Sequence, residues 1–192
     1  MPKTLSTTPE FSSLKGHFLI AMPTLNDPAF EHSITYICNH DGDGAMGIVL
    51  NKSTQLTVSE VLDQLNINST VDLDQLVLLG GPVHQDHGFI LHKGRGNWLS
   101  TLAVTDDFFV STSKDILTSL AQDTGPQNYK VALGYAGWDA GQLEEELLDN
   151  AWLTVEATED VIFNTPENQI YQAALKLLGV DESFLSADAG HA

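Results

Sequence analysis

Histidines crowd one stretch of the chain: His84, His87 and His92 lie within GGPVHQDHGFILHK. A His-x-x-His spacing brings two imidazoles onto one zinc ion when the segment turns helically, and Asp86 or Asp41 is available as an oxygen ligand. On that reading the chain is a metal-dependent hydrolase working from the His84/His87 loop, with His92 as a further ligand. The neighbours weigh against it. Gly81, Pro82 and Gly88 mark a loop, no cysteine stands nearby, and solvated loop histidines are the simpler account. Nucleophilic catalysis finds less support. GxSxG is absent, and the single cysteine, Cys38, sits in the apolar run SITYIC, where burial keeps a thiol protonated. Paired carboxylates occur at Asp106–Asp107 and Glu144–Glu146, but adjacent acids on a strand point to opposite faces and acid runs on helices are usually solvated.

Glycines suggest chemistry too, and their context removes most of it. Gly42, Gly44 and Gly47 satisfy GxGxxG, yet the residues IVL follow where a dinucleotide site needs a helix amino end. Asn39, Asp41, Asp43 and Gly44 imitate the start of a calcium loop, but its twelfth position holds Leu50 in place of a bidentate glutamate. No catalytic residue, cofactor or metal is therefore expected.

A recognition surface built from backbone-rich turns remains. Gly47 with Asn51 and Lys52, then Gly80, Gly81 and Pro82, then Tyr135, Gly137 and Trp138, each pair a strand end with residues that accept close contact. Lys52 supplies positive charge, Asn51 a donor and an acceptor, and Tyr135 or Trp138 a stacking face. Concave sites assemble at strand ends, so these turns are expected within about 10 Å of one another. The competing account is that the glycines only let a crowded sheet close, and that Trp138 caps the core.

Elements that would position these residues can be read from periodicity. Val131, Leu133 and Tyr135 alternate with Lys130, Ala132 and Gly134, as in a strand with one apolar face, and Gly134, Gly137 and Gly141 then bracket Trp138 in an expected turn. Further strands are expected in GHFLIAMP, Ile34–Cys38, Ile48–Leu50, Leu76–Leu79, from Phe89, Trp98–Val104, Phe108–Ser111 and WLTVEAT. Thr57 and Glu60 form a capping box for a helix over 58–65. Other helices are expected over 114–122, over the acidic stretch 142–149, and after Thr165 and Pro166, with Gly179 as the stop. Strands outnumber helices and do not alternate with them, which predicts an α+β fold.

Composition bounds the function class. The chain has 192 residues, 42% of them hydrophobic, enough for one domain with its own core. That domain is expected over 14–180, with a flexible tail over 1–13 and another over 181–192. A lone cysteine, no signal-peptide h-region and no long apolar run predict a cytoplasmic protein that does not enter the membrane. Against 26 acidic side chains stand 8 basic ones, a net charge of −18, so the surface repels phosphate backbones and nucleic acid is not expected as a direct partner.

Taken in order, LKGHFLIAMPTLNDPAFEHSITYIC, DGAMGIVLNK, LLGGPV, GFILH, STLAVTDDFFVSTSKDIL, GYAGWDAGQLEEEL and the closing AGHA are similar to the AlgH/YqgE family of bacterial proteins. The resemblance covers the chain from about Leu14 onward. It implies a single α+β domain with a mixed, largely antiparallel bifurcated sheet forming a pseudo-barrel, on which the expected helices, about four, pack. One family name derives from a role ascribed in regulating exopolysaccharide genes, and no catalytic residues transfer. HQDH is where this sequence looks individual. The expected function is a non-enzymatic binding or regulatory protein acting through an unknown protein partner or a small ligand.

Overall fold

GHFLIA is apolar on both faces, and it forms strand β1 (His17–Ala21), where Phe18 and Ile20 enter one core cluster while Leu19 and Ala21 enter another. A strand buried on both sides needs layers above and below it. The rest of the chain supplies them. The computed structural model describes residues 12–187. After β1 come β2 (Ile34–Asp41), β3 (Gly44–Val49), β4 (Ser53–Thr57), α1 (Val58–Gln64), β5 (Leu76–Leu79), β6 (Val83–Lys93), β7 (Thr101–Ala103) and β8 (Phe108–Ser111). Then follow α2 (Lys114–Ala121), β9 (Tyr129–Asp139), α3 (Gln142–Leu148), β10 (Trp152–Glu156), α4 (Ile170–Leu177) and α5 (Glu182–Ala187).

The strands run in the order β10-β1-β2-β3-β9-β6-β8-β7, with β5 pairing both β4 and β9. All pairs are antiparallel except β5 with β9. The result is a single α+β domain whose curled, mostly antiparallel sheet forms a half-barrel. The fork lies on β9. One edge of β9 pairs with β6, while the other is shared by β5 at Ala132 and Leu133 and by β3 from Ala136 to Asp139. At the fork the backbones of Gly80 and Gly81 press on those of Gly134 and Tyr135, leaving no room for a β-carbon. Gly134 is left-handed, with φ of 74°, a conformation that glycine adopts without strain.

Local signals explain most of the elements. Thr57 and Glu60 exchange reciprocal capping bonds at the start of α1. At the β2–β3 hairpin the Asp43 amide donates to Asp41 Oδ1 at 2.9 Å and Asn39 Nδ2 to Asp41 Oδ2 at 3.1 Å, so turn chemistry engages Asp41, the first acid of the calcium-like pattern.

Other expectations need correction. β9 runs unbroken through Trp138, which pairs with Ala45, so the glycines before it make a bend within a strand and not a turn. β6 begins at Val83 and takes HQDH into the sheet, where a loop was expected. Thr165 does not cap the last long helix; its hydroxyl donates to the Asp160 carbonyl, Asp160–Asn164 is a π-helical turn, and a 3₁₀ turn at Glu167–Gln169 leads into α4. β4 had no counterpart in the sequence reading, and α5 occupies part of the expected 181–192 tail. Residues 1–11 and 188–192 of the expected tails lie outside the described residues.

Candidate functional site

β6 is two strands in character. From Ile90 to His92 it pairs in register with β9 and is buried, whereas His84, Gln85, Asp86 and His87 are exposed. Pairing slips between Val83, opposite Tyr135, and Gly88, opposite Leu133, so the exposed residues form a bulge that β9 does not match. Within it His84 has φ of 49°, an uncommon conformation for a residue with a side chain. In a regular strand, residues three apart face opposite sides. The bulge overrides that rule and sets the His84 and His87 rings 5.3 Å apart, centroid to centroid. The Nδ1 of His87 donates to Asp86 Oδ1 at 2.9 Å, a bond that holds the Asp86 carboxyl below its ordinary pKa. One ligand atom from each of His84, Asp86 and His87 falls within 4.8 Å of the others.

Beside the bulge opens a cleft of about 400 Å³ between α1, α2 and the sheet. Its walls are Leu56, Val61, Leu65, Ile90, Leu117, Val131 and Leu133, and Gln64, Gln85, Asp86, His87, Thr112 and Lys114 supply its polar groups. An apolar cavity of this size with a few convergent polar groups suits a small ligand. Its residues come from five elements, of which β4 went unread and the start of β6 was read as a loop, so no pattern along the chain brought them together.

His92 belongs elsewhere. It is 0% exposed, Nδ1 faces the Gly94 carbonyl at 3.1 Å and Nε2 faces Ser111 Oγ at 2.9 Å. A carbonyl cannot donate, so Nδ1 carries the proton and Nε2 accepts from the Ser111 hydroxyl, which in turn accepts from Thr101 Oγ1 at 2.7 Å. Trp98 and Phe109 flank the ring at 4.9 and 5.9 Å, and burial lowers the histidine pKa. Serine and imidazole are placed as in a nucleophile–base pair, yet Ser111 is also 0% exposed. The pair is a core hydrogen-bond network, and His92 is no ligand partner of His84 and His87.

The turns named from sequence meet through their backbones and part through their side chains. The Leu79 amide donates to the Lys52 carbonyl at 2.8 Å, Val49 to Gly80 at 2.9 Å and Gly80 to Leu133 at 2.9 Å. Lys52 Nζ, however, donates to the Pro28 and Ala29 carbonyls, and Asn51 accepts from the Ile34 amide and donates to the His32 carbonyl, so both pin the β1–β2 connection. They line a cleft with His32, whose ring stacks on Tyr171 at 3.8 Å. Tyr135, Gly137 and Trp138 line a different groove. Trp138 is 6% exposed, and its indole, with that of Trp152, donates to Glu146 Oε2 at 2.9 and 2.8 Å. Gly80 and Gly81 are enclosed at the fork, and Pro82 is exposed beside it.

The remaining candidates are engaged or inert. Glu144 bonds the buried His40 at 2.8 Å, Asp106 and Asp107 sit exposed in the β7–β8 turn, and burial pushes the Cys38 thiol far above its ordinary pKa.

Comparison with known proteins places the fold in context. Residues 18–183 match the AlgH-like family. The chain belongs to that family. A UPF0301 protein of Thioalkalivibrio sulfidiphilus is 52% identical over 182 residues, covering 94% of this chain and 98% of the relative. A UPF0301 protein of Vibrio atlanticus is 49% identical over 186 residues, covering 94% and 100%. The solution structure of the AlgH protein from Pseudomonas aeruginosa, 44% identical, superposes with a TM-score of 0.77 over 95% of this chain and 100% of that one. Protein DIP2367 from Corynebacterium diphtheriae, at 17% identity and a TM-score of 0.69 over 86% and 87%, shares the fold. AlgH-like membership thus agrees with the forked sheet. Among the described residues, no helix is long and apolar enough to cross a membrane.

Proposed function

We propose that this AlgH-like protein is a non-enzymatic binding protein of the cytoplasm, with a regulatory output passed to a partner protein and not to DNA directly. Its ligand is a small amphipathic molecule with an aliphatic body and an anionic end. The cleft between α1 and α2 carries this reading: its floor of Ile90, Val131 and Leu117 is buried and apolar, while Lys114, one of only 8 basic residues in the chain, stands at its edge. Apolar walls supply affinity, and the few polar groups set orientation. A net charge of −18 disfavours a nucleic-acid partner, since no basic stripe offsets it. The hydrolase alternative rests on His84 and His87 of the same bulge, and His92, sealed in the core with Ser111, adds no ligand to it.

Decanoate, a medium-chain carboxylate, tests the reading by NMR titration. It is expected to shift the methyl signals of Val61, Leu117 and Leu133. A Val61→Trp variant, which fills the cleft from an accessible position on α1, is expected to abolish those shifts while keeping the fold. Lys114→Gln is expected to weaken binding several-fold. Absence of shifts, or equal binding by the Val61→Trp variant, overturns the proposal.

A further inference from the structure

We propose that His84, Asp86 and His87 form a site for one divalent transition-metal ion, with zinc as its reference occupant. Two imidazoles and a carboxylate are the ligand types such ions prefer, and three protein ligands leave a position open for water or another donor. The backbone argues for the cluster independently of its composition. Residues three apart on a strand diverge, so a bulge and a left-handed His84 are needed to bring both rings to one side, 5.3 Å apart. A positive φ at a residue with a side chain is the kind of strain that collects at ligand sites, and here the ring of His84 also stands 6.0 Å from that of Tyr135.

Charge and solvation act in the same direction. The site lies on the surface of a strongly acidic chain, so cations concentrate there and coordination displaces water from groups that are already solvated. The ligand atoms stand within 4.8 Å of one another, and exposed side chains can rotate to close on an ion about 2.0–2.1 Å from each. Asp86 and His87 also line the cleft, which puts the bound ion next to its opening. The site does not rest on the cleft reading, and either can fail without the other.

The test uses the full chain without a histidine tag, titrated with Zn²⁺ against a chromophoric chelator and with Co²⁺ followed by visible absorption. One equivalent is expected to bind. His84→Ala with His87→Ala is expected to remove it, and Asp86→Asn to weaken it at least about tenfold, the lower end of what losing even an outer-shell partner costs. His32→Ala, at an exposed histidine outside the cluster, is expected to leave it unchanged. Ring-proton NMR of the unaltered chain gives a readout that no variant can confound: His84 and His87 signals shift with Zn²⁺ while those of buried His92 do not. No stoichiometric binding, or binding that survives the double substitution, overturns the proposal.

Discussion

One strand holds histidines in opposite circumstances. At the start of β6, His84 and His87 stand in water on a bulge; at its end, His92 is 0% exposed and donates and accepts one hydrogen bond each. The residue type is the same, so the difference lies in the partner strands. Near Lys93, β8 and β9 flank β6 on both edges and Trp98 and Phe109 close over the ring. Near Val83 the ladder to β9 slips, and side chains that a regular strand would alternate are freed to converge. A buried histidine with satisfied nitrogens serves packing, while exposed ones with adjacent carboxylate are free to take a ligand.

The comparison breaks most visibly in stability. Ile90→Ala, at a site 1% exposed, is expected to cost about 2–5 kcal/mol. Gly88→Ala, two residues earlier, where an added β-carbon meets nothing within 4 Å, is expected to stay within about 0.5 kcal/mol. Similar losses at the two positions, measured by urea unfolding, would show that β6 is uniform after all.

A smaller effect is expected from pH. Burial holds the folded pKa of His92 below the ordinary 6.5, so the unfolded chain takes up the proton first. The stabilisation from a neutral His92 is full above about 6.5, the unfolded value, and is lost as the pH falls toward the folded one. The stability difference between pH 7 and pH 5 is therefore expected to shrink in His92→Gln relative to the unaltered chain; an unchanged difference would count against the buried neutral ring. Smallest and opposite in sign is His84→Gly. Releasing a left-handed residue with φ of 49° is expected to raise stability by up to about 1 kcal/mol while weakening zinc binding. A variant that is no more stable would remove strain from the account of the bulge.

Much of the fold was legible because its signals are local. The Thr57–Glu60 box, the alternation at Val131–Leu133 and the stop at Gly179 each involve residues close in sequence. The candidate site was not, for the reverse reason. His92 meets Ser111 across β6 and β8, Glu146 gathers the indoles of Trp138 and Trp152, and Lys52 reaches Pro28 and Ala29. No spacing rule links such residues. Asp86 was weighed from sequence only as an alternative to Asp41 beside His84 and His87, on a helical turn of the segment; the segment turns by a bulge instead.

By itself the sequence determined the α+β class, a net charge of −18, and strands and helices set by periodicity and caps, since hydrophobic pattern and charge belong to the chain before it folds. Only the tertiary structure decided which histidines meet, where the apolar cleft opens, and that the fork glycines serve close backbone approach. Those outcomes depend on strand register, and register is set by contacts between segments far apart along the chain.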